Sequence, residues 1–316
     1  MPARRPRLFR AVLLVALTGL SACAPDIPAA PEPPIAARPE LVAPAPQPSA
    51  ASEAARLHYA GLQADLLSRG LLRTDGGAGD APFTDRMLAE NFVQIALYDE
   101  YTRTPQGLVA QPAQSRLRRW EQPVRVAVRF GPSVPADRQA TDRARIGSFL
   151  AHLSQISGHP IRLSDAQPNF FVYIVNEDER RALGPVLTAA LPGLSSADVA
   201  GITEMPRSTY CLVYAMSAGD GSAYTKAFAV IRAEHPDLLR LSCMHEEITQ
   251  GLGLANDSPA ARPSIFNDDE EFALLTPMDE LMLKMLYSPR LTPGMTEAEA
   301  RPIITQLATS LMGGET

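Results

Sequence analysis

Histidine, lysine and cysteine are scarce in this chain of 316 residues: five histidines, three cysteines, and lysine only at Lys226 and Lys284. The net charge of −6 leaves too little positive field for a nucleic-acid partner, and the excess of arginine over lysine reads as coding bias. The one basic cluster, Arg116-Leu117-Arg118-Arg119-Trp120, reads as a solvated surface. No Lys-Ser or Lys-Thr follows the glycines of Asp75-Gly76-Gly77-Ala78-Gly79-Asp80, so a phosphate loop is not indicated. The apolar run from Ala11 to Leu20 is too short to span a membrane. No internal repeat is present.

What stands at the amino terminus is a secretion signal. Arg4, Arg5, Arg7 and Arg10 precede the apolar run, which ends in Leu20-Ser21-Ala22-Cys23. The order predicts a lipoprotein signal peptide over 1–22, cleaved ahead of a Cys23 thiol that becomes lipid-modified. That places the chain on the periplasmic face of the envelope, held to the membrane by lipid, and Ala24 in place of aspartate points to the outer membrane. Residues 24–52 hold nine prolines among alanine, glutamate and serine, a composition of an extended tether. Residues 53–81 read as a helical leader, through Leu57, Leu62, Leu66 and Leu67, and a glycine-rich loop. With Cys23 given to lipid, Cys211 and Cys243 remain in an oxidising compartment, and a disulfide between them is expected. It would close a loop of about 30 residues, worth on the order of 3 kcal/mol.

The folded domain is expected over 82–316, with a 46% hydrophobic share to fill its core. The pattern predicts a helix at 85–101, a strand at 124–130 in clean alternation, and a helix at 136–157. Short strands follow at 160–164 and 169–175, then a polar irregular segment over 176–206. Strands at 209–216 and 224–232 lead to a helix carrying the most informative stretch, Cys243 to Asp257.

Two registers place metal-ligand spacing on that helix, in which ligands at i and i+4 share a face and a glutamate beside the first takes a proton from metal-bound water. Starting at His245, the second ligand position falls on Thr249 and the register fails. His245 also aligns with Leu241, Ile248 and Leu252 on the apolar stripe, where a packed core histidine is expected. Starting at Glu246, the stretch reads Glu246-Glu247-x-x-Gln250-x-x-Gly253-x-x-Asn256, with Asp257 next to it and every offset filled by a weaker ligand. Glu246 and Gln250 face away from the stripe; a solvated polar face ending in a glycine cap explains them equally well. Downstream, Ser264-Ile265-Phe266-Asn267 precedes Thr276, Pro277 and Asp279, which supply an N-cap, a first-turn proline and an N3 acid.

These motifs resemble a metzincin peptidase, in which H-E-x-x-H-x-x-G-x-x-H binds zinc, a S-x-M turn floors the metal and a last helix closes the domain. Phe266 stands where the methionine would be, two residues after Ser264. The runs Cys243 to Asp257, Ser264 to Phe272 and Leu286 to Met295 also resemble an uncharacterised family of bacterial lipoproteins, domain-of-unknown-function family 2927. The resemblance implies an α+β, zincin-like fold: a small mixed sheet packed on an active-site-type helix, with a closing carboxy-terminal helix.

Three functional classes stay open. The first is a domain that has lost zinc and serves as a binding or scaffolding module for an envelope protein or cell-wall partner. The second is a peptidase or cell-wall peptide hydrolase with a divalent metal ion on Glu246, Gln250, Asn256 or Asp257 and Glu247 as general base. The third is a metal-free carboxylate pair, Glu246 and Glu247, which a 100° divergence between adjacent helix positions disfavours.

Overall fold

The computed structural model describes residues 47–313 except positions 78, 105, 106, 192 and 268. Cys23, the signal peptide and most of the proline-rich segment lie outside the described residues. Helix α1 (Ala50–Ser68) starts at the N-cap Ser49, whose side chain accepts from Ser52 N. It is followed by α2 (Asp85–Ala96) and a hairpin of β1 (Tyr98–Thr104) and β2 (Gly107–Gln114). Next come β3 (Arg119–Trp120), β4 (Val124–Phe130), α3 (Ala136–Ser157), β5 (Ile161–Leu163) and β6 (Phe170–Val175). Three short helices, α4 (Glu177–Arg181), α5 (Gly184–Ala190) and α6 (Ser196–Thr203), precede β7 (Cys211–Ser217) and β8 (Ala223–Arg232). The chain ends through α7 (Asp237–Gln250), α8 (Pro277–Leu286) and α9 (Glu297–Leu311).

The result is mixed α and β structure around a mostly parallel sheet. β5, β4, β6 and β8 run parallel in that order, β3 pairs in parallel with the start of β8, and β7 alone is antiparallel, against β8. Helices cover both faces, which is why Ala227 to Ile231 of β8 are apolar without a break and all buried. Val124, Val126, Val128, Ala229 and Ile231 join the main core with residues of α2, α3, α7, α8 and α9. On the other face Val175, Phe228 and Val230 pack against Leu183, Leu187 and Ile202 of the short-helix segment.

The segment over 176–206, expected to be irregular, is helical because its starts are capped. Asn176 with Glu179 and Ser195 with Asp198 each form reciprocal capping boxes. The leader also differs from expectation. Residues 47–313 fall in one compact unit, so the domain does not begin at 82. Of the four leucines that suggested the helix, Leu57 and Leu67 are 59% and 46% exposed, while Leu66 joins Ala55 and Tyr59 on the buried face with Leu62 beside them. Tyr59 and Ala55 pack with Leu239 and Ala273, Ser52 Oγ donates to Glu234 Oε1 at 2.7 Å, and Tyr59 OH donates to Arg207 O at 3.0 Å.

The basic cluster is not a solvated patch. Leu117 and Trp120 are buried, Arg118 pairs with Asp99, and Arg119 donates to the carbonyls of Leu286 and Ser288 at 2.5 and 2.9 Å, capping the end of α8.

Candidate functional site

Contacts along its whole length fix α7, the helix of the motif. Near its start, Arg240 reaches Asp142 of α3 at 3.1 Å, with both side chains buried. In its middle, Cys243 is bonded to Cys211, the first residue of β7, with Cα atoms 5.9 Å apart. His245 stacks on Phe149 at 3.9 Å between centroids, and its Nδ1 accepts from Leu275 N at 3.2 Å. At its end, Trp120 Nε1 donates to Gly251 O at 2.8 Å, and Gly253 turns the chain at φ +126°, where a Cβ would lie 2.3 Å from Arg118 O.

His245 is therefore a packed residue, in keeping with its place beside Ile248 and Leu252. Burial pulls its pKa down to about 4, with the nearby His152 adding to the shift, and pulls buried His235 down to about 3. Both are neutral in the fold and ordinary, near 6.5, once unfolded, so their contribution is full above pH 6.5 and is lost as the pH falls towards 4 and 3. Asp279, raised to about 6 by burial, works in the opposite sense between pH 6 and its ordinary 3.8. At pH 5 the histidines cost on the order of 2 kcal/mol each and Asp279 offsets about 1, a net loss of roughly 3 kcal/mol against pH 7. Urea unfolding at the two pH values measures this, and His245→Phe should remove roughly two thirds of the loss.

The candidate ligands do not converge on one point. Gln250 is buried and points its amide nitrogen, a donor, at Asp257 Oδ1, 3.0 Å away. Asn256 is buried and turned to α2: its Nδ2 donates to Gln94 O at 2.8 Å and its backbone N–H to Ile95 O at 3.1 Å. One oxygen of Glu246, one of Glu247 and Cys211 Sγ fall within 4.8 Å of one another, beside the disulfide. Glu247 is buried and Glu246 half-buried, so α7 has no solvated face of the kind the pattern allowed. Two adjacent helix positions meet because glutamate side chains are long enough to bend back across the divergence of their Cβ atoms. Zinc held by Glu246, Gln250 and Asn256 would have one carboxylate and two neutral amide oxygens as ligands, a weak set beside imidazole or thiolate.

Ser264 and Phe266 sit in a turn held by α8. Ser264 Oγ donates to Asp279 Oδ1 at 2.6 Å, while Ile265 N and Thr276 N donate to Asp279 Oδ2 at 3.1 and 2.9 Å. Thr276 and Asp279 form the expected capping box. Phe266, fully buried in the main core, takes its backbone N–H to Ser264 Oγ at 3.0 Å. Asp279 is thus the fastener of the turn, a role the N-cap pattern alone did not reveal.

A family model described as a protein of unknown function, DUF2927, matches residues 85–306. The chain belongs to the DUF2927 family. The match begins at α2 and ends within α9, so it takes in the whole sheet, the motif helix and the Asp279 turn. The helix α1, packed on Leu239 and Ala273, precedes the part that defines DUF2927. No curated protein and no solved structure matches the chain.

Proposed function

We propose that this DUF2927 protein is a periplasmic lipoprotein, anchored through Cys23, whose zincin-like domain has lost catalytic zinc and serves as a binding or scaffolding module at the cell envelope. The observation that carries the proposal is the use made of the ligand positions. Gln250 and Asn256 spend their amides on Asp257 and on the last turn of α2, and so brace the loop after α7. Amides whose nitrogens are engaged in buried hydrogen bonds serve the packing of this loop first. The zincin-like assignment is supported by the element order, in which strand, helix, strands, motif helix, pinned turn and closing helix follow one another as the motifs imply. Helix α9, packed on α2, is an addition to that order.

Elemental analysis of the full chain, purified with its disulfide intact and without chelator or metal-affinity resin, tests this reading. No stoichiometric ion is expected, and Glu246→Ala combined with Gln250→Ala should leave the metal content unchanged. A stoichiometric ion that disappears in the double variant would overturn the proposal in favour of a metal-dependent hydrolase with Glu247 as base. Cross-linking in intact cells would then identify what the module holds, with an envelope protein or cell-wall component expected.

A further inference from the structure

The disulfide and the two glutamates beside it form a cluster that does not include Gln250 or Asn256. Cys243, Glu246 and Glu247 stand at i, i+3 and i+4 on α7 and share one helix face. Cys211 meets that face from the first residue of the edge strand β7. Its sulfur, a Glu246 oxygen and a Glu247 oxygen lie within 4.8 Å of one another, and the Cys243 sulfur is bonded to it. Three donor atoms, Cys211 Sγ and one oxygen each of Glu246 and Glu247, thus lie together from two separate elements, with Cys243 Sγ bonded to the first of them. A tetrahedral zinc ion holds thiolate and carboxylate donors about 3.5 Å apart, within reach of small adjustments of two glutamate side chains.

We infer that reduction of Cys211–Cys243 creates a zinc-class metal site formed by both cysteines, Glu246 and Glu247. As a disulfide the sulfurs are not thiolates, and two carboxylates alone hold zinc weakly. A dithiol reductant delivers two electrons and two protons: the S–S bond breaks, two thiols form, and the reductant leaves as a disulfide. A divalent ion then takes the place of the two thiol protons, which go to solvent. The cross-link between β7 and α7 is thereby exchanged for a metal link at the same place, so the domain would keep its shape while registering the redox state around it. This inference uses a different set of residues from the Glu246, Gln250 and Asn256 arrangement and does not depend on the scaffolding role.

Cobalt(II) is the probe, because thiolate ligation gives it a charge-transfer band in the near ultraviolet. The full chain is reduced with a phosphine, desalted without oxygen and titrated beside the oxidised chain. The expected result is one cobalt per reduced chain with the thiolate band, displaced by zinc, and no such band from the oxidised chain. Glu246→Gln with Glu247→Gln should weaken binding by about tenfold or more. A folded reduced chain without the band overturns the inference, as does undiminished binding by the double glutamine variant. Should reduction unfold the chain, zinc must restore the native circular dichroism, and failure to restore it overturns the inference equally.

Discussion

Replacing Asp279 by alanine is expected to lower the unfolding free energy by about 3–5 kcal/mol, the range for removing one partner of a buried, charged network. The carboxylate is fully buried and accepts from Ser264 Oγ, Ile265 N and Thr276 N, with Thr276 Oγ1 a further 2.9 Å away. Without it, two backbone N–H groups and a hydroxyl are left inside the protein with no acceptor, the turn from Ser264 to Phe266 loses its hold on α8, and the capping box of that helix is broken. Ser264→Ala removes only one donor and should cost about 1 kcal/mol. Urea unfolding of the two variants separates the cases, and an Asp279 variant within 1 kcal/mol of the parent would show that the network contributes little.

The second large effect concerns the cross-link. Cys211→Ser with Cys243→Ser should destabilise the domain by on the order of 3 to 4 kcal/mol, because 32 residues of sequence separation are closed in the folded chain and would be free in the unfolded one. In the presence of chelator, the reduced parent should unfold at the same urea concentration as the double variant. Zinc should then stabilise only the reduced parent, since the serine variant lacks both thiolates. A double variant as stable as the parent would mean that the denatured state is already constrained without the bond.

The elements that sequence made plain are those with one strong period. Val124 to Phe130 alternates and is a strand with those bounds, and Ile146, Phe149, Leu150 and Leu153 mark the buried stripe of α3. The hairpin of β1 and β2 was not visible: the helix expected to reach 101 stops at Ala96, and neither strand alternates cleanly or carries an obvious turn pair. Helix α9 went unread although Thr296 and Glu299 supply a capping box. In α1 the leucines marked the helix, but only Leu62 and Leu66 face the domain, and Ser52, Ala55 and Tyr59 bind it there through contacts far away in sequence.

At the candidate site, the register from Glu246 pointed to α7 and the loop that follows it, and the disulfide expected between Cys211 and Cys243 is present. What the spacing could not supply was direction. Gln250 and Asn256 occupy ligand offsets, yet whether an amide offers oxygen to an ion or nitrogen to Asp257 and Gln94 depends on neighbours from α2 and the following loop. The meeting of Glu246 and Glu247 was hidden for a related reason: a helical wheel places Cβ atoms, and carboxylates travel well beyond them.

Mechanically, the Cys211–Cys243 bond sets a limit on extension. The two Cα atoms are 5.9 Å apart, and the stretch joining them, a sequence separation of 32, would, drawn straight, add about 110 Å of chain. Pulled from its ends, the protein could release α1 and the terminal helices, but β7, β8 and the first half of α7 would remain a closed loop with the load passing through two sulfur atoms. Reduction would turn that loop into slack, so the same domain would be a short strap in an oxidising compartment and a long one after losing the bond.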